Sequence, residues 1–276
     1  MTSMLSRKMT LTTTMLNPLP DIQDLPDTRG IAIQQVGIRD LHYPIQIVDQ
    51  HNHRQSSIGN FSLSIGLAAT QKGAHLSRFV EILESYPRCF GTDGEGLAAL
   101  LANVQTKLGA EHAFVELSFP FFLKKMAPHS GQTSLMDYQI AFSAEKKATQ
   151  PVQFSCQVKV PVTSVCPCSR AISNHGAHNQ RSLLMLCVKT NNPIPAEQWI
   201  RLLEQQGSAE LYALLKRPDE KHVTEQAYEN AKFVEDIVRD AALMLNQDTN
   251  VVEYSLLVEN LESIHNHVAF AKIKGL

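Results

Sequence analysis

The sequence predicts an α+β fold of two similar antiparallel units, each running strand, strand, helix, helix, strand, strand. Two patterns and a join carry this reading. Apolar residues alternate in stretches suited to half-buried strands, and between them apolar residues recur at three- and four-residue intervals, as a helix with one buried face requires. The order of these stretches then repeats. KKATQP, charged and ending in proline, marks the join near residues 144–151.

In the first half, strands are expected at residues 41–48 and 61–67, where Phe61, Leu63, Ile65 and Leu67 share one face. Residues 75–86 place Leu76, Phe79, Val80 and Leu83 at helical spacing, and 94–108 repeat it with Leu97, Leu100, Leu101, Val104 and Leu108. Strands return at 112–119 and 136–142. In the second half Val152, Phe154, Cys156, Val158 and Val160 alternate, and 183–189 reads as a more deeply buried strand. A helix over 195–206 opens with a proline suited to its first turn. A long helix over 224–245 carries a stripe of Phe233, Val234, Ile237, Val238, Ala241 and Leu245, and strands over 251–258 and 267–273 close the chain. The expected organisation is a flexible extension over 1–19, a first unit over 20–148 and a second over 149–276.

A chain of 276 residues can form one large domain or two moderate ones, and two is the preferred reading. A net charge of -2 and a pI near 6.6 argue against a nucleic-acid binder or a protein drawn to anionic membrane. Any anionic ligand must then be met by a local basic cluster. Five cysteines, an odd number in a chain too long to need staples, indicate reduced thiols and a cytoplasmic location. No apolar run approaches the roughly 20 residues that span a bilayer. The opening MTSMLSRKMTLTTTMLN is rich in Ser and Thr and poor in acids, as some transit peptides are, but a disordered extension is the preferred reading.

The chemistry concentrates in CPCSRAISNHGAHNQRS, residues 166–182, which holds two thiols, two imidazoles and two guanidinium groups. Borderline metals accept thiolate sulfur, imidazole nitrogen and carboxylate oxygen together. A C-x-C pair does not match a closed structural zinc cage, so an open site with ligands from distant segments fits Cys166, Cys168 and His178 better. Two small buried thiols at a strand end would be the plainer account. Apolar packing, however, gives no use for His175, His178, Asn179, Gln180 and Arg181 in one loop.

Further donors lie in RPDEKHVTEQ, with Asp219, Glu220 and His222, and in ESIHNHVAF, with Glu262, His265 and His267. Acids before a helix are more often caps than ligands. Glu235 falls inside the expected long helix, beside its apolar stripe. Arg170 and Arg181, and Lys72, His75 and Arg78 of QKGAHLSRF, are the basic candidates for an anion; the second group straddles a helix start, where N–H groups receive phosphate.

These stretches, with LPDIQDLPDTRGIAIQQVGIRDLHYPI, ELSFPFFLKKMAPHSGQTSLMDY, RPDEKHVTEQAYENAKFVEDIVRDA and ESIHNHVAFA, resemble the type IB GTP cyclohydrolase I family from about Pro20 to the C-terminus. The resemblance implies a tunnelling fold, in which tandem ββααββ modules with helices on one face assemble into a barrel-like homotetramer with active sites between subunits. It implies hydrolytic opening of the guanine ring of GTP to 7,8-dihydroneopterin triphosphate and formate, the first step toward tetrahydrofolate.

Carried over position by position, the resemblance implies one divalent metal per site, Mn2+, Zn2+ or Fe2+, held by Cys166, His178, Glu220 and His265, with Cys168 beside it. Glu235 then accepts hydrogen bonds from guanine N1–H and the exocyclic amine. Arg170, Arg181, Lys72, His75 and Arg78 meet the triphosphate, and His175 or His267 passes a proton to N7 as C8 is attacked. A mixed S, N, O donor set leaves strict zinc dependence open. Two other readings use the same loop: a related pterin or deazapurine enzyme with Cys166 as nucleophile, and a catalytically silent binding module that keeps a structural metal.

Overall fold

A computed structural model describes residues 21–275. The expected extension over 1–19 and its transit-peptide alternative lie outside the described residues. In chain order the elements are β1 (Ile33–Val48), β2 (Arg54–Leu67), α1 (Ser77–Ser85), β3 (Cys89–Gly91), α2 (Leu97–Leu108), β4 (His112–Met126), β5 (Thr133–Lys147) and β6 (Gln153–Val165). There follow α3 (Pro167–Ile172), β7 (Asn179–Thr190), α4 (Ala196–Glu204), β8 (Ala209–Glu210), α5 (Arg217–Glu229), α6 (Val234–Gln247), β9 (Val251–Leu261) and β10 (Val268–Gly275). The strands make one sheet in the order β10-β9-β7-β6-β5-β4-β2-β1-β3, with β8 against β6. Neighbours are antiparallel apart from the short parallel pair of β1 and β3.

Alternation explains the two faces of this mixed α+β sheet. Phe61 pairs with Leu117 and Leu117 with Phe142, while Ile140 pairs with Val158, Val158 with Leu186 and Leu186 with Leu256. All of these are buried, in one apolar cluster with Phe79, Leu100, Trp199, Ile200 and Ile237 from the helices. Each such side chain contributes about 1.5–3 kcal/mol by leaving water. On the other face Ser62, Glu116, Ser143 and Ser155 stand in register, and the last two share a 2.6 Å contact between hydroxyls. Among the described residues no helix is long and apolar enough to cross a membrane, and the five cysteines are free.

Three expectations are corrected. The first two helices start later than their apolar pattern: His75 has φ 48, so α1 begins at Ser77, and Gly94 and Gly96 have φ 86 and 92, so α2 begins at Leu97. The long helix over 224–245 is two helices, and RPDEKHVTEQ, expected just before a helix, forms the start of α5. The break has a tertiary cause. Lys232 N–H donates to Val165 O at 3.0 Å, and the Asp236 carboxylate accepts from Phe233 N–H at 2.9 Å to start a new helix, leaving Phe233 exposed rather than on the stripe.

Topology fixes which segments can meet. Because β1–β2, β4–β5, β6–β7 and β9–β10 are successive antiparallel pairs, their four connections gather at one end of the sheet. The links from β2 to α1 and from β5 to β6 lie at the opposite end. With 14 residues in β2, the two ends stand on the order of 45 Å apart at about 3.3 Å per residue.

Candidate metal centre

Cys166 follows the last residue of β6 and precedes α3. Its N–H donates to His178 O at 3.1 Å, which closes the loop and sets the two residues side by side. The Cys166 Sγ accepts from Ser169 N–H at 3.4 Å, and the Ser169 hydroxyl accepts from His178 N–H at 3.1 Å. Both residues are half-buried, whereas Cys168 and His175 are exposed. His178 Nδ1 lies 2.9 Å from Gln180 Oε1, and behind Gln180 a buried series of polar groups runs through Ser164 and Ser182 to Asn260.

Helix α5 brings Glu220 to the same end. Ala227 packs with Val165 and Ala209, with Ala177 and Val223 against them. Glu220 precedes Val223 by three residues and Ala227 by seven, so it shares that face of the helix. The helix start is pinned by Asp219, fully buried, whose carboxylate accepts N–H groups of Lys216, His129 and Ser130 at 2.8 Å each. Burial alone raises a carboxyl, yet the Ser130 hydroxyl and the N–H groups of Ser130, Lys216 and His129 hold Asp219 well below the usual carboxylate range. Glu235, exposed, sits in the first turn of α6, three residues from the Lys232 N–H that reaches Val165.

The connection over 262–267 also lies here, since Leu261 pairs with both Arg181 and Val268. His265 Nε2 is 3.6 Å from Glu262 Oε2, and its ring stacks on His267 at 5.0 Å between centroids. Arg181 is exposed on β7. Arg170 is engaged within the chain: its Nη1 donates to Glu229 O at 2.9 Å and the guanidinium lies 4.7 Å above the Tyr228 ring, so its charge serves the C-terminal end of α5.

Lys72 and His75, in the link from β2 to α1, and Arg78, in the first turn of α1, are elsewhere, at the opposite end of the sheet. His75 Nε2 lies 2.9 Å from Asp24 Oδ1 and its Nδ1 lies 3.5 Å from Asp21 Oδ2. Among the described residues, this is the one group of three or more His, Cys, Asp or Glu side chains whose donor atoms all fall within 4.8 Å of one another. Asp24, His75 and Arg78 also line a cavity of about 190 Å³. Within one chain, therefore, Cys166, His178, Glu220 and His265 share an end of the sheet but do not close into a cage, and Lys72, His75 and Arg78 cannot join them.

The donor set nonetheless suits a borderline divalent metal: a thiol, two imidazoles and a carboxylate stand on neighbouring segments, and the contact to Gln180 engages Nδ1 of His178 rather than Nε2. A larger cavity of about 600 Å³, lined by Phe154, Cys156, Lys189 and Trp199, lies at the other end of these strands. Burial pushes the Cys156 thiol far above its ordinary value, so that cavity offers a packing thiol rather than a ligand. Sequence reasoning missed Gln180, Ser164, Ser182 and Asn260 as a group, although each is a polar residue at a position where alternation calls for an apolar one.

Residues 19–271 match the family described as type I GTP cyclohydrolase folE2. The chain belongs to that family. It is 45% identical over 257 residues to GTP cyclohydrolase FolE2 1 of Dechloromonas aromatica, covering 93% of this chain and 96% of the relative. It is 46% identical over 257 residues to GTP cyclohydrolase FolE2 of Nitrosomonas eutropha, with the same coverage. The folE2 description refines the type IB resemblance, a broadly related naming. Among solved structures, a hyper-thermostable uricase mutant aligns with a TM-score of 0.51 over 88% of this chain and 91% of the other at 9% identity, a likeness of fold alone.

Proposed function

We propose that this chain opens the guanine ring of GTP by hydrolysis, giving 7,8-dihydroneopterin triphosphate and formate, at a divalent-metal centre made by Cys166, His178, Glu220 and His265. Membership of the folE2 family carries the GTP cyclohydrolase activity and its place in folate biosynthesis. The observation that supports the centre is the Cys166–His178 clasp at the sheet end where α5, α6 and the 262–267 connection also arrive.

When bound, Mn2+, Zn2+ or Fe2+ supplies Lewis acidity that brings a water toward ionisation near neutral pH. The chain's own residues do the rest. Glu235 accepts from guanine N1–H and the exocyclic amine and so fixes the ring, and Cys168 borders the reacting edge. His175 or His267, both exposed at this end, delivers a proton to N7 as C8 is attacked. Arg181 meets the triphosphate, with Arg170 beside it at the end of α5.

Lys72, His75 and Arg78 reach the substrate only from another chain. The sheet supports such an assembly: β10 pairs on one side alone, and β1 is paired on its outer side only over Gln46–Val48, so two open edges remain among the described residues. Exposed Ile33, Val268 and Phe270 lie on those edge strands. Closure through further copies covers both edges and makes a barrel-like homotetramer of tandem ββααββ modules, 20–148 and 149–276, with sites between subunits.

Chelator-free purification followed by metal analysis, paired with a fluorescence assay for oxidised pterin on added GTP, tests the reading. Stoichiometric metal and a signal lost on chelation and restored by Mn2+ or Zn2+ is the expected result. A signal that survives complete metal removal would favour Cys166 as a nucleophile, and metal without any signal would favour a silent binding module.

A further inference from the structure

Four buried polar side chains stand behind the metal centre on three neighbouring strands. Ser164 on β6 and Ser182 on β7 are fully buried, and Gln180 on β7 and Asn260 on β9 are 7% and 3% exposed. They occupy the helix-facing side of the sheet, where the same alternation places Val162, Leu184 and Val258. Such a row in an apolar layer is tolerated only when every member is hydrogen-bonded.

The contacts form a single line. His178 Nδ1 is 2.9 Å from Gln180 Oε1, Gln180 Nε2 is 2.8 Å from Ser164 Oγ, Ser164 Oγ is 2.8 Å from Ser182 Oγ, and Ser182 Oγ is 2.6 Å from Asn260 Oδ1. Proton counting gives the line a direction. An amide oxygen can only accept, so Ser182 donates its one proton to Asn260. Ser164 must then donate to Ser182 and accept from the Gln180 amide. Gln180 is thereby turned with its oxygen toward His178, where it can only accept.

We infer that this relay holds His178 as the Nδ1–H tautomer, and that Gln180 is the positioning residue that leaves Nε2 as the coordinating nitrogen. The inference rests on the reading of His178 as a metal ligand. Reversing every bond in the line would put the proton on Nε2 and block that ligand, so the direction of a line that ends on Asn260, 78 residues from Ser182 in sequence, goes with the tautomer of His178.

The test uses full-length, metal-stripped protein with ¹⁵N-labelled histidine, read by long-range ¹H–¹⁵N correlation, with the His178 signals assigned from the His178→Ala spectrum among the 11 histidines. The expected result is a protonated Nδ1 and an unprotonated Nε2 at a pH where the ring is neutral. Gln180→Leu should mix the tautomers and weaken Mn2+ and Zn2+ binding by about 10- to 100-fold. Gln180→Glu should restore the Nδ1–H tautomer, because a carboxylate accepts the same proton, although it has none to donate to Ser164.

A wild-type ring protonated at Nε2 overturns the inference, whatever the Gln180 variants do. So does a folded Gln180→Leu variant with unchanged tautomer and metal affinity. His178→Ala separates the two levels. If it binds metal as the wild type does, the ligand reading fails and the positioning role with it; if it loses metal while Gln180→Leu does not, the relay alone is wrong.

Discussion

In equivalent strand connections the first and second halves of the chain solve the same problem differently. Residues 49–53 connect β1 to β2 in a turn that uses its own polar groups: Asp49 accepts N–H groups of His51 and His53 at 2.8 Å each, its second oxygen lies 3.0 Å from His53 Nδ1, and Asn52 takes φ 63. Residues 166–178 make the corresponding connection from β6 to β7. There the backbone holds the loop shut through Cys166 and His178, while buried partners beneath the loop orient the imidazole. The tip over 127–132 likewise contrasts with 262–267: the first lends two N–H groups to Asp219, whereas the second stands in solvent with His265 stacked on His267. Side chains bond loop backbone in both connections, through Asp49 in the first and through Cys166 and Ser169 in the second. What differs is the imidazole: His53 is paired with an acid of its own turn, whereas His178 is turned by Gln180 from the strand beneath.

The largest test of that contrast is Cys166→Ala, which should remove bound metal and reduce pterin formation to background while the melting temperature of the apo protein barely moves. A variant that kept stoichiometric metal would place Cys166 outside the centre. Glu235→Ala should leave metal content intact and weaken GTP binding on the order of 10²- to 10⁴-fold, the loss of two charge-assisted hydrogen bonds of about 1.5–3 kcal/mol each. Calorimetry with GTP decides it: lost metal with retained nucleotide would reassign Glu235.

Asp219 sharpens the comparison on the side of the tips. Its folded carboxyl is held below the ordinary carboxylate range, so it stabilises the fold above the unfolded value of about 3.9, and this contribution is lost as the pH falls through the lower folded value. Urea midpoints at pH 6 and pH 3 should therefore fall further in the wild type than in Asp219→Asn. Equal falls would show that the 127–132 tip does not secure α5 through this carboxylate. Because Glu220 is the next residue, the same variant should also weaken Mn2+ binding, by less than Cys166→Ala does.

How much of this was legible follows from what each feature depends on. Alternation located most strands because it is local. It missed the start of β1, where register shifts between Ile33 and Val36 and between Ile38 and Leu41 break the alternation. The split between α5 and α6 was hidden because the group that ends the first helix, Val165 O, is 67 residues from Lys232, although Asp236 three residues after Phe233 was a readable cap. The thiol and imidazole loop was conspicuous because packing has no use for it. The line from Gln180 to Ser164, Ser182 and Asn260 was not, since only sheet register assembles it across 16 to 78 residues. Nor could spacing reveal that His75 and Cys166 stand at opposite ends of the sheet, which is a property of strand order.

The smallest expected effect is also the cleanest control for the contrast between the two connections. His53 carries an imidazole in the β1–β2 connection as His178 does in the β6–β7 connection, and its side chain is 79% exposed. His53→Ala removes one contact to Asp49, but Asp49 keeps both backbone N–H donors, and Asn52, a residue tolerant of positive φ, keeps its conformation. The turn therefore needs no imidazole, and an exposed ion pair of this kind contributes little. Metal content, GTP turnover and the denaturation midpoint should all match the wild type. A loss of metal or turnover beyond about twofold, well outside what a surface substitution produces, would mean that the 49–53 turn reaches a catalytic centre, in this chain or an adjoining one, and that self-satisfied and ligand-bearing connections are not separate kinds of structure here.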